Sequence, residues 1–314
     1  MPELSPRRND GAMTRYPAPA ASLVEAMTIA AAADPARAVA FQGAPGAYSH
    51  QAVREAFPNG LPLPCFAFDD AIEAVQAGRA GHAAIPIENS LHGRVADIHF
   101  LLPESGLAIT GEHFVRVRHC LLGVRGAMRE GVTTAISHPQ ALGQVRNRLR
   151  EWNIVPDPYA DTAAAAALVA EAGDPARAAV ASKLAGGLYG LDVLAEGIED
   201  AAHNTTRFVI LARDAVTPPA GVASMTSLVF EVRNVPAALF KALGGFATNG
   251  VNITKLESYL RDGSFAAAEF YAEFVGAPAD AEVARALDEL RFHTKWLRLL
   301  GTYPQARDRS VPAR

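Results

Sequence analysis

The run AVAFQGAPGAYSHQAVREAF, Ala38–Phe57, decides the fold. Ala38–Gln42 is a short apolar run that reads as a strand. Gly43–Ser49, with two glycines and a proline, reads as a turn, and Ser49–Phe57 has helical spacing. The same alternation extends outward. Asp69–Ala77 is helical and stops at Gly78, a glycine suited to closing a helix. Ala83–Ile87, Ala108–Glu112 and His119–Val124 are short apolar strands, and Thr134–Ile136 leads into a helix that starts near Ser137. Asp161–Ala172 is an alanine-rich helix with Asp161 or Thr162 at its cap and Gly173 beyond its end. Ala178–Ala181 and Arg207–Ala212 are further strands. Strands alternating with helices predict an α/β fold built on parallel sheet.

The pattern breaks at Asp214–Ser224, DAVTPPAGVAS, which reads as a boundary between domains. Beyond it come a strand at Thr226–Val232, a helix at Pro236–Thr248, strands at Val251–Tyr259 and Phe265–Phe274, a helix at Asp280–Leu290 and a strand at Trp296–Tyr303. In the third of these strands Ala266, Ala268, Phe270, Ala272 and Phe274 share one face, and Glu269 and Glu273 the other. The order βαββαβ is the ferredoxin-like arrangement.

The chain has 314 residues, half of them hydrophobic, enough for two domains with real cores. A net charge of −4 with both signs mixed gives no reason to expect a nucleic acid or a membrane as partner. Cys65 and Cys120 lie far apart with no CxxC spacing, which speaks against a metal site or a disulfide and for a cytoplasmic location. Residues 1–36 read as a disordered N-terminal extension. Its apolar run Leu23–Ala33 is too short to span a bilayer, and Asp10, Glu25, Pro17 and Pro19 spoil a secretory signal. Met13 is an alternative start.

Several segments could carry chemistry. The Gly43–Ser49 turn ahead of a helix is either an anion site, with Ser49 at its end, or only a turn; it fits neither a dinucleotide fingerprint nor a P-loop. Pro86-Ile87-Glu88-Asn89-Ser90 ends a buried strand, where ligand crevices form in α/β sheets, although Asn89 and Ser90 would also serve to begin a loop. Ser137-His138-Pro139-Gln140 makes a capping box, and Gln144 one turn on points the way Gln140 does. Asn204-Thr205-Thr206-Arg207-Phe208 gathers an amide, hydroxyls and a guanidinium, with Arg207 able to fork a carboxylate. No HExxH, GxSxG or DxD pattern occurs, so metal ligation and acyl-enzyme chemistry have little support.

In order and spacing, FQGAPGAYSH, IPIENSLHG, HCLLG, SHPQALGQ and NTTRF resemble the signatures of prephenate dehydratases, and the C-terminal domain is similar to the ACT domain that follows in that family. The resemblance covers residues 38 to about 303. It implies a catalytic domain over 37–214 with two lobes like those of type II periplasmic binding proteins. Lobe 1 takes in 37–117 and 191–214 and lobe 2 takes in 118–190, followed by a linker at 215–224, an ACT domain at 225–304 and a tail at 305–314. It further implies conversion of prephenate to phenylpyruvate with loss of water and carbon dioxide, without a cofactor. Thr206 is then the catalytic hydroxyl. Arg207, Phe208, Asn89, Ser137, Gln144, Ser49, Glu88, Ser90 and Asp161 are the residues around the substrate, with His138 and Glu88 as reserve proton donors.

The resemblance implies feedback by L-phenylalanine, bound by Ala237, Ala238, Leu239, Asn252, Glu257 and Ser258 where ACT domains pair in a homodimer or homotetramer. Here the chain departs from the family. Ala237-Ala238-Leu239-Phe240 stands where the family has Gly-Ala-Leu-Val, and Glu257-Ser258-Tyr259-Leu260 where it has Glu-Ser-Arg-Pro. Alanine tolerates helical backbone, so the fold is expected to persist while the strength of feedback is open. Two rival readings are arogenate dehydratase, which acts on the amino analogue, and a solute sensor without catalysis.

Overall fold

The computed structural model describes residues 16–307 apart from 96–97, 220, 234 and 260–268. Three sheets organise it. The first orders its strands Leu61–Cys65, Ala38–Gln42, His82–Asn89, Thr205–Ala212 and Ala108–Arg116, with Gly93–Arg94 paired to the end of His82–Asn89. The second orders Asp192–Glu196, Cys120–Gly123, Arg177–Ala181, Thr134–Ser137 and Val155–Pro158. The chain leaves the first sheet after Ala108–Arg116, builds the second, and returns to enter Thr205–Ala212.

That return corrects the expectation of purely parallel sheet. Thr205–Ala212 runs antiparallel between His82–Asn89 and Ala108–Arg116, because a chain coming back from the second sheet arrives in the opposite sense. In the second sheet Cys120–Gly123 is antiparallel to both its neighbours. Two edge strands, Leu61–Cys65 and Val155–Pro158, carry alternate prolines and have no counterpart in the sequence reading. Proline is tolerated at an edge because its missing N–H faces away from the ladder.

A second correction concerns the N-terminus, read as disordered. Ala18–Ala33 is a helix. Its Ala31 joins the core of the first sheet, and Ala20 joins the core of the second, with Leu23 packed alongside. Its partner in the second core is Thr162–Ala172, where Ala163, Ala164, Ala165, Ala166 and Ala167 are all buried. Small side chains on both helices allow the close approach that an extended polar tail would not.

The C-terminal part has the expected order: Ser224–Val232, helix Ala238–Thr248, Ile253–Tyr259, Glu269–Val275, helix Ala281–His293 and Thr294–Pro304. The beginning of the third expected strand, 265–268, lies outside the described residues. One sheet face, with Leu228, Phe230, Phe270, Ala272 and Phe274, packs on its own helices. The other, with Met225, Val229, Tyr271, Leu300 and Tyr303, shares a core with Ile85, Ile87, Ile109 and Val209 of the first sheet. At Gly301 an added Cβ would lie 2.0 Å from the Ile109 carbonyl oxygen, so the two backbones touch and only glycine fits. The C-terminal unit is thus fused to the first sheet by packing as well as by the linker.

Ala237 does not continue the helix, as the sequence suggested. It precedes it at φ +59°, in the left-handed region. An L-residue there costs about 1–2 kcal/mol relative to right-handed backbone, a cost glycine escapes. Ala237→Gly is therefore expected to stabilise the chain by up to about 1 kcal/mol, read as a higher urea midpoint with an unchanged m-value.

Candidate active site

A cleft of about 560 Å³ lies between the first two sheets, lined from the first by Ser49, Asn89, Arg94, Thr206 and Phe208 and from the second by His119, His138, Gln140, Gln144 and Asp161. Another cavity, of about 690 Å³, sits between the first sheet and the C-terminal unit. Its lining is apolar except for Thr217, Thr302 and Arg298, and Arg298 already donates to the Pro103 carbonyl at 2.5 Å. The groups able to do chemistry converge in the first cleft.

Strand alternation sorts Thr205–Ala212. Thr206 and Phe208, two apart, face the cleft, so Arg207 faces the other way. Thr206 stands opposite Asn89, and Arg207 opposite Glu88. Asn89 Nδ2 donates to Thr206 Oγ1 at 3.0 Å and to Asn204 Oδ1 at 2.8 Å, while Asn89 Oδ1 accepts from the N–H groups of Leu91 and His92. Asn89 has no donor left for a ligand. Thr206, accepting from Asn89, keeps its own O–H, for which the described residues offer no acceptor. Its hydrogen is free to point at whatever fills the cleft.

The second wall is held by histidines. His119 Nε2 lies 2.7 Å from Gln144 Oε1 and its Nδ1 2.9 Å from the Tyr48 hydroxyl. Burial lowers the His119 pKa, opposed by the Gln144 hydrogen bond and by Glu199, so the ring is neutral. His138 is likewise lowered by burial, opposed by Asp161. Asp161 Oδ1 accepts from the Ala164 N–H at 2.7 Å, capping its helix as read from sequence. Burial raises the Asp161 pKa, opposed by the N–H groups of Ala164, Ala163 and Ala44 and by His138.

The N–H of Ala44 belongs to the glycine turn, and Gly43 packs so closely on Asp161 Oδ2 that a Cβ would meet it at 3.0 Å. The group the turn meets is therefore a carboxyl of the opposite wall. Ser182 Oγ donates to Gly46 O at 2.6 Å and Tyr189 donates to Pro45 O at 2.6 Å, so the turn ties the first sheet to the second.

Several expected site residues stand elsewhere. Arg207 is 2 % exposed and points between the first sheet and the C-terminal unit. Its Nε donates to Glu112 at 2.7 Å, Nη1 to Glu88 at 2.9 Å and Glu273 at 2.6 Å, and Nη2 to Tyr303 at 3.0 Å. It has no fork left for a ligand carboxylate. Glu88 shares that network through Lys255 and is held down at about 2 by Lys255 and Arg207 against the effect of burial, so it is no proton donor. Ser137 is buried and donates to Val180 O at 2.5 Å; His138, not Ser137, caps the helix, accepting from the Gln140 N–H. Ser90 donates to His203 O and accepts from the Thr205 N–H, fixing the strand end. Glu257, expected near an effector, reaches Arg94 at 3.5 Å.

Sequence reasoning missed Arg94, Tyr48 and His119. His119 opens the HCLLG motif, so a signal was present; Arg94 directly follows SLHG and looked like any surface arginine.

Comparison with known proteins gives the family. The family model for prephenate dehydratase matches residues 39–216. A bifunctional N-acyl-homoserine lactone acylase/prephenate dehydratase of Komagataeibacter europaeus is 50% identical over 277 residues, spanning 88% of this chain and 99% of that protein. An arogenate dehydratase/prephenate dehydratase of Arabidopsis thaliana, a chloroplastic protein, is 40% identical over 280 residues, 85% of this chain and 71% of its own. The crystal structure of prephenate dehydratase from Arthrobacter aurescens in complex with L-Phe superposes with a TM-score of 0.79 at 30% identity, covering 86% of this chain and 90% of that one. Among the described residues, no helix is long and apolar enough to cross a membrane.

Proposed function

Because the chain belongs to the prephenate dehydratase family, we propose that it turns prephenate into phenylpyruvate in the cleft between its lobes, with Thr206 as the donor to the departing oxygen. The observation that carries the reading is the Asn89–Thr206 pair, which leaves the threonine hydrogen free toward the cleft. In the reaction the bond from the ring to its carboxylate breaks and carbon dioxide leaves. That electron pair completes the aromatic ring, and the hydroxyl opposite departs with its own pair, takes a proton and becomes water. Aromatisation drives the step and no external electron sink is needed. The protein has to orient the dianion and meet the charge growing on the leaving oxygen. A threonine hydroxyl is too weak an acid to be the ultimate proton source at neutral pH, so the proton is relayed from water.

Prephenate fits better than arogenate. The amino analogue brings an ammonium group, which needs an anionic partner. Among the described lining residues the single carboxylate is Asp161, already engaged by N–H groups and shifted toward its neutral form. The two lobes fit the periplasmic-binding-protein arrangement, and the βαββαβ unit fits an ACT domain. We assign that unit the role of binding L-phenylalanine through Ala237, Ala238, Leu239, Asn252, Glu257 and Ser258 as ACT units pair in a homodimer or homotetramer. Cys65 and Cys120 are both buried and free, which suits the reducing cytoplasm.

The test is a timed assay of purified protein on prephenate, with phenylpyruvate read by its absorbance in alkali, run beside arogenate and with and without phenylalanine. Phenylpyruvate that forms from prephenate and slows with phenylalanine is the expected result. Turnover of arogenate in preference would reassign the substrate, and curves that phenylalanine leaves unchanged would remove the regulatory role.

A further inference from the structure

A dianionic substrate needs a fixed positive charge in its cleft, and the expected one, Arg207, is spent on carboxylates behind the sheet. Among the described lining residues the one permanent cation is Arg94, at the end of the two-residue strand Gly93–Arg94. Its side chain is 45% exposed, and its described partners both belong to the regulatory strand Ile253–Tyr259. Nη1 lies 3.5 Å from Glu257 Oε2, and the guanidinium carbon 5.9 Å from the centre of the Tyr259 ring. That ion pair is long and solvent-washed, hence weak and readily exchanged.

Resting on the prephenate reading, we propose that Arg94 anchors a carboxylate of the substrate, and that Glu257 of the regulatory unit competes for it. One guanidinium would thus be shared between the cleft and the domain that controls it. The surroundings suit an exchange. Glu257 Oε1 is also 3.8 Å from Lys255 Nζ, so the carboxylate keeps a cation nearby when Arg94 turns to substrate. Lys255 is itself tied to Glu88, whose neighbour Asn89 holds Thr206. A shift of strand Ile253–Tyr259 changes the hold on Arg94 directly.

The experiment is steady-state kinetics of the full chain on prephenate. If the wild-type chain does not turn prephenate over, the prephenate reading fails; if it does, the variants judge Arg94. Arg94→Gln should raise KM about tenfold or more while kcat stays within about threefold, the sign of lost uniform binding, and Arg94→Lys should recover part of the loss. Glu257→Gln should lower KM roughly two- to fivefold, the worth of a weak exposed pair. In the Arg94→Gln background Glu257→Gln should then have no effect, because it acts only through Arg94. A wild-type KM in Arg94→Gln overturns the anchoring role. An unchanged KM in Glu257→Gln, or the same drop with and without Arg94, overturns the competition.

Discussion

Replacing Thr206 by alanine should lower kcat on prephenate about 100- to 1,000-fold, with KM changed little. One preorganised donor to a developing negative charge contributes about that much, and a donor that acts mainly in the transition state shows in kcat. The geometry argues for so large an effect at this residue. Asn89 gives Thr206 Oγ1 a hydrogen bond at 3.0 Å and is itself pinned by the N–H groups of Leu91 and His92. Part of the acceptor side of the hydroxyl is therefore occupied before substrate arrives, and its hydrogen is left for the cleft. Thr206→Ser keeps the donor but loses the methyl group that limits its rotation, and should retain far more turnover than alanine. The measurement is single-turnover and steady-state formation of phenylpyruvate by the three proteins. If Thr206→Ala turned over at near the wild-type rate, the leaving oxygen would have to be served by the other wall, where His119 and His138 are neutral rings.

Much of the α/β layout was legible because glycine turns and apolar runs are local signals. Ala38–Gln42 into Tyr48–Ala56 formed as read, and the C-terminal order of strands and helices followed from alternation alone. What escaped has physical reasons. Leu61–Cys65 and Val155–Pro158 contain prolines that argue against strand, and only an edge position, which is a tertiary fact, makes them acceptable. The helix Ala18–Ala33 has neither a polar face nor a clear stripe; it persists because alanines of the helix Thr162–Ala172 meet it. The reading of the Gly43–Ser49 turn as an anion site was half legible. Its Ala44 N–H does meet a carboxyl group, but that group is Asp161, over a hundred residues away in the chain.

The site itself was read too generously. Thr206, Arg207 and Phe208 entered it together as a motif, although neighbours on a strand face opposite sides. Applying that rule to NTTRF separates Thr206 and Phe208 from Arg207 without any structure. It does not say what lies behind the sheet. That the hidden face meets Glu273 and Tyr303 depends on how the C-terminal unit docks, and no local pattern encodes the docking. Arg94 was passed over for the converse reason. An exposed arginine after a glycine is unremarkable until it stands as the one fixed cation among the described residues lining the cleft.

Removing the Arg207 charge should be strongly destabilising. Arg207→Met is expected to cost about 3–5 kcal/mol in urea unfolding, the range for breaking a buried ion pair on one side only. The side chains of Arg207, Glu112 and Glu273 are 3%, 0% and 1% exposed, so methionine would leave two carboxylates buried beside an apolar group. Arg207→Lys should rescue little, since a single ammonium cannot serve Glu112, Glu88, Glu273 and Tyr303 at the separate points where Nε, Nη1 and Nη2 now meet them. The pH dependence distinguishes this account from lost packing. In the wild type Glu88 is held at about 2, below the ordinary carboxylate value of 4.5. A depressed folded-state pKa contributes stability that is present above that ordinary value and is lost as pH falls through the interval toward 2. In Arg207→Met Glu88 keeps Lys255 but loses the guanidinium, so its carboxyl moves back toward the ordinary value and this contribution shrinks. As pH falls from about 4.5 toward 2 the variant should therefore lose less stability than the wild type does. Parallel stability curves for the two proteins would mean that methionine costs packing alone, and that the carboxylates behind the sheet find water when the arginine is gone.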